Sequence, residues 1–109
     1  MSIEGSTFVI TGAARGIGAA TAHLAAERGA NVVVSDVLAE AGNETAAAIR
    51  AAGGRAIFVE TDVSDETQVA RLMDRAVAEY GGIDVVHNNA GIHEAMITTA
   101  FSFEDMSVD

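Results

Sequence analysis

Thr7-Phe8-Val9-Ile10-Thr11-Gly12-Ala13-Ala14-Arg15-Gly16-Ile17-Gly18 decides how the rest of the chain is read. Its opening residues are apolar, β-branched or aromatic, which predicts a buried strand running through Ile10. Glycines at 12, 16 and 18 break that run before an alanine-rich helical pattern begins. Gly12 permits the tight turn off the strand. The missing Cβ at Gly16 lets a pyrophosphate approach the backbone, and the missing Cβ at Gly18 lets the new helix pack close to the strand. The free N–H groups and positive dipole end of that helix then face the phosphates, with Ala14 and Arg15 in the connecting loop.

Outward from this stretch, residues 17–28 read as the first helix, with Ile17, Ala20, Thr21, Leu24 and Ala25 on its inward face. Gly29 stops it. Asn31-Val32-Val33-Val34-Ser35-Asp36 is a continuous apolar strand, as expected where both faces of a parallel sheet are covered. A second helix is expected over 39–52, with Ala41, Thr45, Ala48, Ile49 and Ala52 inward, and a third strand over 55–61. Asp65 and Gln68 have the spacing of a capping box. Val69, Leu72, Met73, Ala76, Val77 and Tyr80 then repeat at helical spacing, and Met73 and Tyr80 read as core packing. Gly81-Gly82 ends this helix, and residues 83–89 read as the fourth strand. Alternation at these lengths predicts an α/β fold of right-handed βαβ units on a parallel sheet.

A chain of 109 residues makes one small domain. Its formal charge of −10 repels nucleic acid and anionic lipid, so neither is an expected partner. Local donors at a helix N-terminus still hold phosphates against such a field. Cysteine is absent, which removes disulfides, thiolate nucleophiles and Cys-based metal sites. No run approaches the ~20 apolar residues of a membrane span, and Met1–Gly5 carries no signal-peptide pattern, so a cytoplasmic protein is expected. His23 and Glu27 share a helix face without a second ligand pair, which predicts a solvated face and no metal. His87 reads as a satisfied core or edge histidine. His93 and Glu94 have two readings, a substrate-pocket border or loop residues without a role.

Asp36 ends the second strand eighteen residues after Gly18. A carboxylate at that place in a dinucleotide fold accepts hydrogen bonds from the adenosine ribose hydroxyls and repels a 2′-phosphate, which favours NAD over NADP. Val37 follows it into the same region. Arg15 pulls towards NADP, since a cation in the loop suits a 2′-phosphate, but the carboxylate against a dianion outweighs it. The other reading of Asp36 is a cap for the next turn.

Thr11-Gly12-Ala13-Ala14-Arg15-Gly16-Ile17-Gly18 together with Asn88-Asn89-Ala90-Gly91 resembles the short-chain dehydrogenase/reductase family, from Gly5 to about Asp109. The resemblance implies a Rossmann-type doubly wound sheet, here four strands in the order 3-2-1-4 with three helices. It implies NAD(H) or NADP(H) and hydride transfer between nicotinamide and an alcohol or ketone carbon. Asp62 would bond the adenine amino group beside Val63, with a plain helix-entry acid as the other reading. Asn88 and Asn89 would tie the fourth strand to its neighbours, Ala90 and Gly91 would leave room for the cofactor ribose, and Ile92 would border the nicotinamide ribose. Residues 1–91 would form the NAD-binding half-domain, and 92–109 an extension towards a helix start.

The family's catalytic tyrosine, lysine, serine and asparagine do not map onto this chain. It has no lysine, and its one tyrosine, Tyr80, falls on the core face of the third helix. A tyrosine with a pKa near 10 is a poor base without a neighbouring cation. The resemblance is therefore to the cofactor-binding front half, and no catalytic residue is assigned. With the fourth strand at a sheet edge, a homo-oligomer joined through residues 83–89, or completion by a separate back half, is expected. A non-catalytic dinucleotide-binding or self-assembling module is the second functional reading. An S-adenosylmethionine-dependent methyltransferase is the third, opposed by Asn88–Gly91 and the glycine spacing.

Overall fold

The computed structural model describes residues 2–89. Strands β1 (Thr7–Thr11), β2 (Asn31–Asp36), β3 (Arg55–Glu60) and β4 (Val85–Asn88) alternate with helices α1 (Gly16–Glu27), α2 (Ala39–Ala51) and α3 (Glu66–Tyr80). The sheet is parallel throughout, in the order β3-β2-β1-β4. Strand alternation sorts the core into two layers. Ile10, Val32, Val34 and Ala56 pack with Ala22, Ala25, Ala26, Ala46 and Ile49 of α1 and α2. Val9 and Val33 pack on the other face with Val69, Leu72, Met73 and Ala76 of α3. The chain thus winds from β1 to β3 along one face and returns over the other to place β4 beside β1. Connections diverge at the carboxyl ends of β1 and β4, the place where open α/β sheets hold ligands.

The buried face of α1 differs from the expectation. Gly18, Ala22, Ala25 and Ala26 face the sheet, while Ile17 is 76% and Leu24 50% exposed, and Ala20 is exposed too. The helix is apolar almost all round, so its periodicity leaves the direction of packing open. The small side chains face inward because they let the helix axis approach the strands closely. In α2 the buried set is Gly42, Thr45, Ala46 and Ile49, with Ala48 and Ala52 outside. Gly42 sits where a Cβ would collide with the Phe58 ring, so the closest approach of α2 to β3 fixes that face.

Helix α3 follows its predicted stripe at Val69, Leu72, Met73 and Ala76; Tyr80 is half-buried and Val77 is exposed. Its cap differs in detail. The Asp65 carboxylate accepts from the N–H groups of Thr67 (2.9 Å) and Gln68 (3.2 Å). The Gln68 side-chain oxygen accepts from Asp62 N–H (2.8 Å), three residues before the helix N-cap, and not from Asp65 N–H as a capping box requires.

Strand β4 is shorter than the 83–89 expected. Asp84 precedes it as a clamp: Thr7 N–H donates to the Asp84 carboxylate (2.7 Å) and Asp84 N–H donates to Thr7 O (2.9 Å). Register pairs Phe8 with Val85 and Ile10 with His87, so Val85 and His87 lie on the α1 side of the sheet. His87 differs from the satisfied histidine expected: its Nδ1 is buried and finds no hydrogen-bond partner among the described residues. No helix among the described residues is long and apolar enough to cross a membrane.

Candidate functional site

The site grows from the loop between β1 and α1. Gly12 and Gly16 have φ of +64° and +66°, the left-handed region that favours glycine, and together they turn the chain off the sheet. Four bonds hold the loop between them. Ala13 N–H donates to Ser35 O (3.0 Å), and Ala14 N–H to Asp36 Oδ2 (3.0 Å). The Thr45 hydroxyl donates to Ala14 O (2.8 Å), and Asn89 Nδ2 to Gly12 O (3.2 Å). Elements β2, α2 and the end of β4 therefore all grip one short turn. The N-cap of α1 is Arg15, exposed and without a side-chain cap bond, so among the described residues the N–H groups of the first turn have no capping side chain. A Cβ built on Gly16 meets nothing within 4 Å, which leaves the approach to those donors open. Ile17 points to solvent beside it, and Gly18 is buried.

Asp36 is placed as an acceptor. Its Oδ2 takes the Ala14 N–H, and its Oδ1 takes the Leu38 N–H (3.0 Å) at the start of α2. An ionised carboxylate has about four acceptor positions, so the two bonds fix its orientation and leave roughly two for a ligand's hydroxyls. Asp36 bonds the next turn, as its capping reading expects, and also lines a cleft. That cleft, of about 210 Å³, is lined by Gly12, Asp36, Val37, Thr61, Asp62 and Val63.

At its far side the Asp62 Oδ1 accepts from the Ser64 hydroxyl (2.6 Å) and the Ser64 N–H (2.9 Å). The hydroxyl bond, then the backbone bond, holds this carboxyl below its usual range. The group therefore stays ionised, and acceptor only, across neutral and mildly acid pH. Any stability it contributes is lost only as pH falls through that lowered value. An acceptor of this kind matches an exocyclic amino donor.

These features fit a dinucleotide: unclaimed donors at a helix start, a backbone approach free of a Cβ, and two ionised acceptors across a narrow cleft. The structure brings together Gly12, Ala14, Arg15, Gly16, Gly18, Asp36, Val37, Asp62, Val63 and Asn89 around one end of the sheet, with Ile17 at its outer margin. Ala90, Gly91, Ile92, His93 and Glu94 lie outside the described residues. Sequence reasoning missed the roles of Thr45, Leu38 and Ser64, which hold the loop and both carboxylates in place, and it read Gln68 as a capping-box partner where the side chain instead accepts from Asp62 N–H. Of these only the Asp62-x-Ser64 turn carries a local signal, since an Asp commonly bonds the backbone two residues on.

Among the described residues no group is set up for proton transfer. Burial, with the charge of Glu79 adding to it, pushes the Tyr80 phenol above its ordinary pKa, the direction opposite to a general base. Among the described residues no three His, Cys, Asp or Glu side chains converge as a metal site would require.

Known proteins share both the fold and much of the sequence. A chain from Sinomonas cyclohexanicum, cis-4-hydroxycyclohexanecarboxylate dehydrogenase, is 63% identical over 86 residues, covering 79% of this chain and 34% of its own length. The crystal structure of a hydroxysteroid dehydrogenase from Escherichia coli superposes with a TM-score of 0.80 at 39% identity, over 83% of this chain and 38% of that one. A short chain dehydrogenase/reductase from Burkholderia phymatum, solved in complex with NAD, gives a TM-score of 0.77 at 38% identity, over 79% and 31%. The chain spans about a third of the length of the curated relatives it matches, the share being 34%, 32% and 33% for three of them. The sequence model of the short chain dehydrogenases matches residues 6–108, nearly all of the chain. With the glycine turn, the clamped Asp36 and the 3-2-1-4 sheet all in place, this chain belongs to the short chain dehydrogenase family, whose members use a nicotinamide dinucleotide.

Proposed function

We propose that this chain is the cofactor-holding portion of an NAD-dependent oxidoreductase that moves a hydride between nicotinamide and an alcohol or ketone carbon. The observation that carries the reading is Asp36, fixed by Ala14 and Leu38 with acceptor positions to spare. In this reading Asp36 takes the adenosine ribose hydroxyls, and Val37 and Val63 flank the adenine. Asp62 accepts from the adenine amino group. The first turn of α1, from Gly16 to Gly18, holds the pyrophosphate beside Gly12, Ala14, Arg15 and Ile17. Asn89 secures the loop through Gly12 O, and Ala90, Gly91 and Ile92 border the nicotinamide ribose. The bound nicotinamide supplies the hydride acceptor or donor. NAD is favoured over NADP because Asp36 repels a 2′-phosphate. Residues 1–91 act as one binding unit with 92–109 as its extension, in the cytoplasm, and turnover requires the family's catalytic serine, tyrosine and lysine, which do not map onto these 109 residues; the chain has no lysine at all.

A transplant tests this. Residues 1–89 replace the matching third of the Sinomonas enzyme, whose own back part supplies the catalytic groups. The chimera is expected to oxidise cis-4-hydroxycyclohexanecarboxylate, while the 109-residue chain alone is expected to show no turnover. A chimera that folds and yet is inert counts against the reading.

The edge of the sheet favours a partner. Strand β4 pairs only with β1 among the described residues, and Val85 on it is 37% exposed. Unpaired strand edges template further strands. In this proposal the edge is covered by the polypeptide that completes the relatives' length, and where that is absent, by β4 of a second copy. Sedimentation of the 109-residue chain is expected to show concentration-dependent self-association. A monomer at every concentration contradicts the second-copy version.

A further inference from the structure

A surface pocket of about 500 Å³ opens beside the adenosine cleft, and Arg15, Val37, Leu38, Glu40 and Glu44 are among the residues lining it. Val37 lines both spaces, so they share a wall. Asp36 stands between them, holding Ala14 N–H next to Arg15 with one oxygen and Leu38 N–H at the start of α2 with the other. Given the dinucleotide reading above, on which this inference rests, a ribose hydroxyl bonded to Asp36 sits at the junction. A substituent on that hydroxyl enters the larger pocket.

Half of that pocket is built as a phosphate would want it. Arg15 is exposed, and Leu38, the N-cap of the 13-residue α2, has no side-chain cap over the first turn. A helix start carries roughly half a positive charge. The other half opposes it. Glu40 lies in the first turn and Glu44 one turn further on the same helix face. Two carboxylates line the pocket against one guanidinium and a half-charge, and Asp36, which lines the smaller cleft across the shared wall at Val37, adds a third negative charge next to it. Glu40 alone has an ordinary explanation, since a first-turn acid stabilises its helix. Glu44 is beyond the reach of that effect, yet it lines the same pocket.

We propose that Glu40 and Glu44 are specificity-determining residues that complete, with Asp36, an acidic collar. The collar turns a pocket otherwise suited to a phosphate into one that rejects the 2′-phosphate of NADP. Arg15 serves within it as a counter-charge.

The test is a pair of titrations, NAD+ and NADP+, against the 109-residue chain and its Glu40→Gln/Glu44→Gln variant, with Asp36 left intact. The ratio of NADP+ to NAD+ affinity is expected to rise about fourfold, as two screened charges near a dianion give, and the rise should shrink at high salt. Adding Arg15→Ala to the double variant should remove most of the gain. An unchanged ratio in a double variant that still binds NAD+ overturns the inference and leaves the dinucleotide reading standing. Binding of neither nucleotide by the unaltered chain overturns the dinucleotide reading, and this inference with it. If the double variant melts early, Glu44→Gln alone carries the test, with about a twofold rise expected and the same null overturning it.

Discussion

Gly18→Ala is expected to destabilise the chain by about 3 kcal/mol, at the upper end of overpacking costs. The added methyl would fall inside the envelope of the Gly12 carbonyl oxygen, 2.8 Å from the carbonyl carbon and 2.9 Å from Asn89 Nδ2. The two nearest of these atoms are backbone and cannot swing aside as the Asn89 side chain can. Gly12 is the turn itself, and its oxygen already accepts the Asn89 amide. Relief requires moving either α1 off the sheet or the loop off β4, and each breaks contacts that hold the site. Gly16→Ala is the control, because a Cβ there meets nothing and only the positive φ is strained, at about 1 kcal/mol. Urea unfolding of the two variants separates crowding from backbone strain. Equal losses would mean that the loop is loose enough to absorb a methyl, and the tight α1–β1 contact would be wrong.

Asp36→Ala is expected to weaken NAD+ binding about thirtyfold, the loss of charge-assisted hydrogen bonds to two ribose hydroxyls. NADP+ should not weaken in step, since the same change removes a repulsion. The preference then narrows or inverts. A second, smaller effect follows from the protein side, where Ala14 N–H and Leu38 N–H lose their acceptor. The Leu38 N–H is exposed and regains water, whereas Ala14 is buried, so stability should fall by about 1 to 2 kcal/mol. A large fall in stability with unchanged nucleotide preference would make Asp36 a structural clamp and no more.

The parts of this fold legible in the sequence are those with a strong local pattern. The strand-turn-helix at Thr7–Gly18 needs glycine for backbone reasons that any reader can derive, and it formed as expected. Helix α3 alternates charged and apolar residues sharply, and its inward face was plain. Helix α1 was misread for the opposite reason: a run of Ala, Gly, Ile and Leu buries equally well in several directions, and only the sheet beneath decides. Gly42 illustrates the same limit, because its need for no side chain comes from Phe58, sixteen residues away and on another element. The site divides likewise. Asp36 and Asp62 announce themselves by position at strand ends, whereas Thr45 reaches back 31 residues to the Ala14 carbonyl with no signal in its neighbours. His87 shows a third kind of limit: its strand was readable, and its unpartnered Nδ1 was not.

Calorimetric titration of the 109-residue chain with NAD+, then NADP+ in the same buffer, tests the central claim most directly. The account predicts saturable NAD+ binding, weaker NADP+ binding, and an NAD+ affinity about thirtyfold lower on Asp36→Ala. Heat from neither nucleotide, with the chain folded, would contradict it.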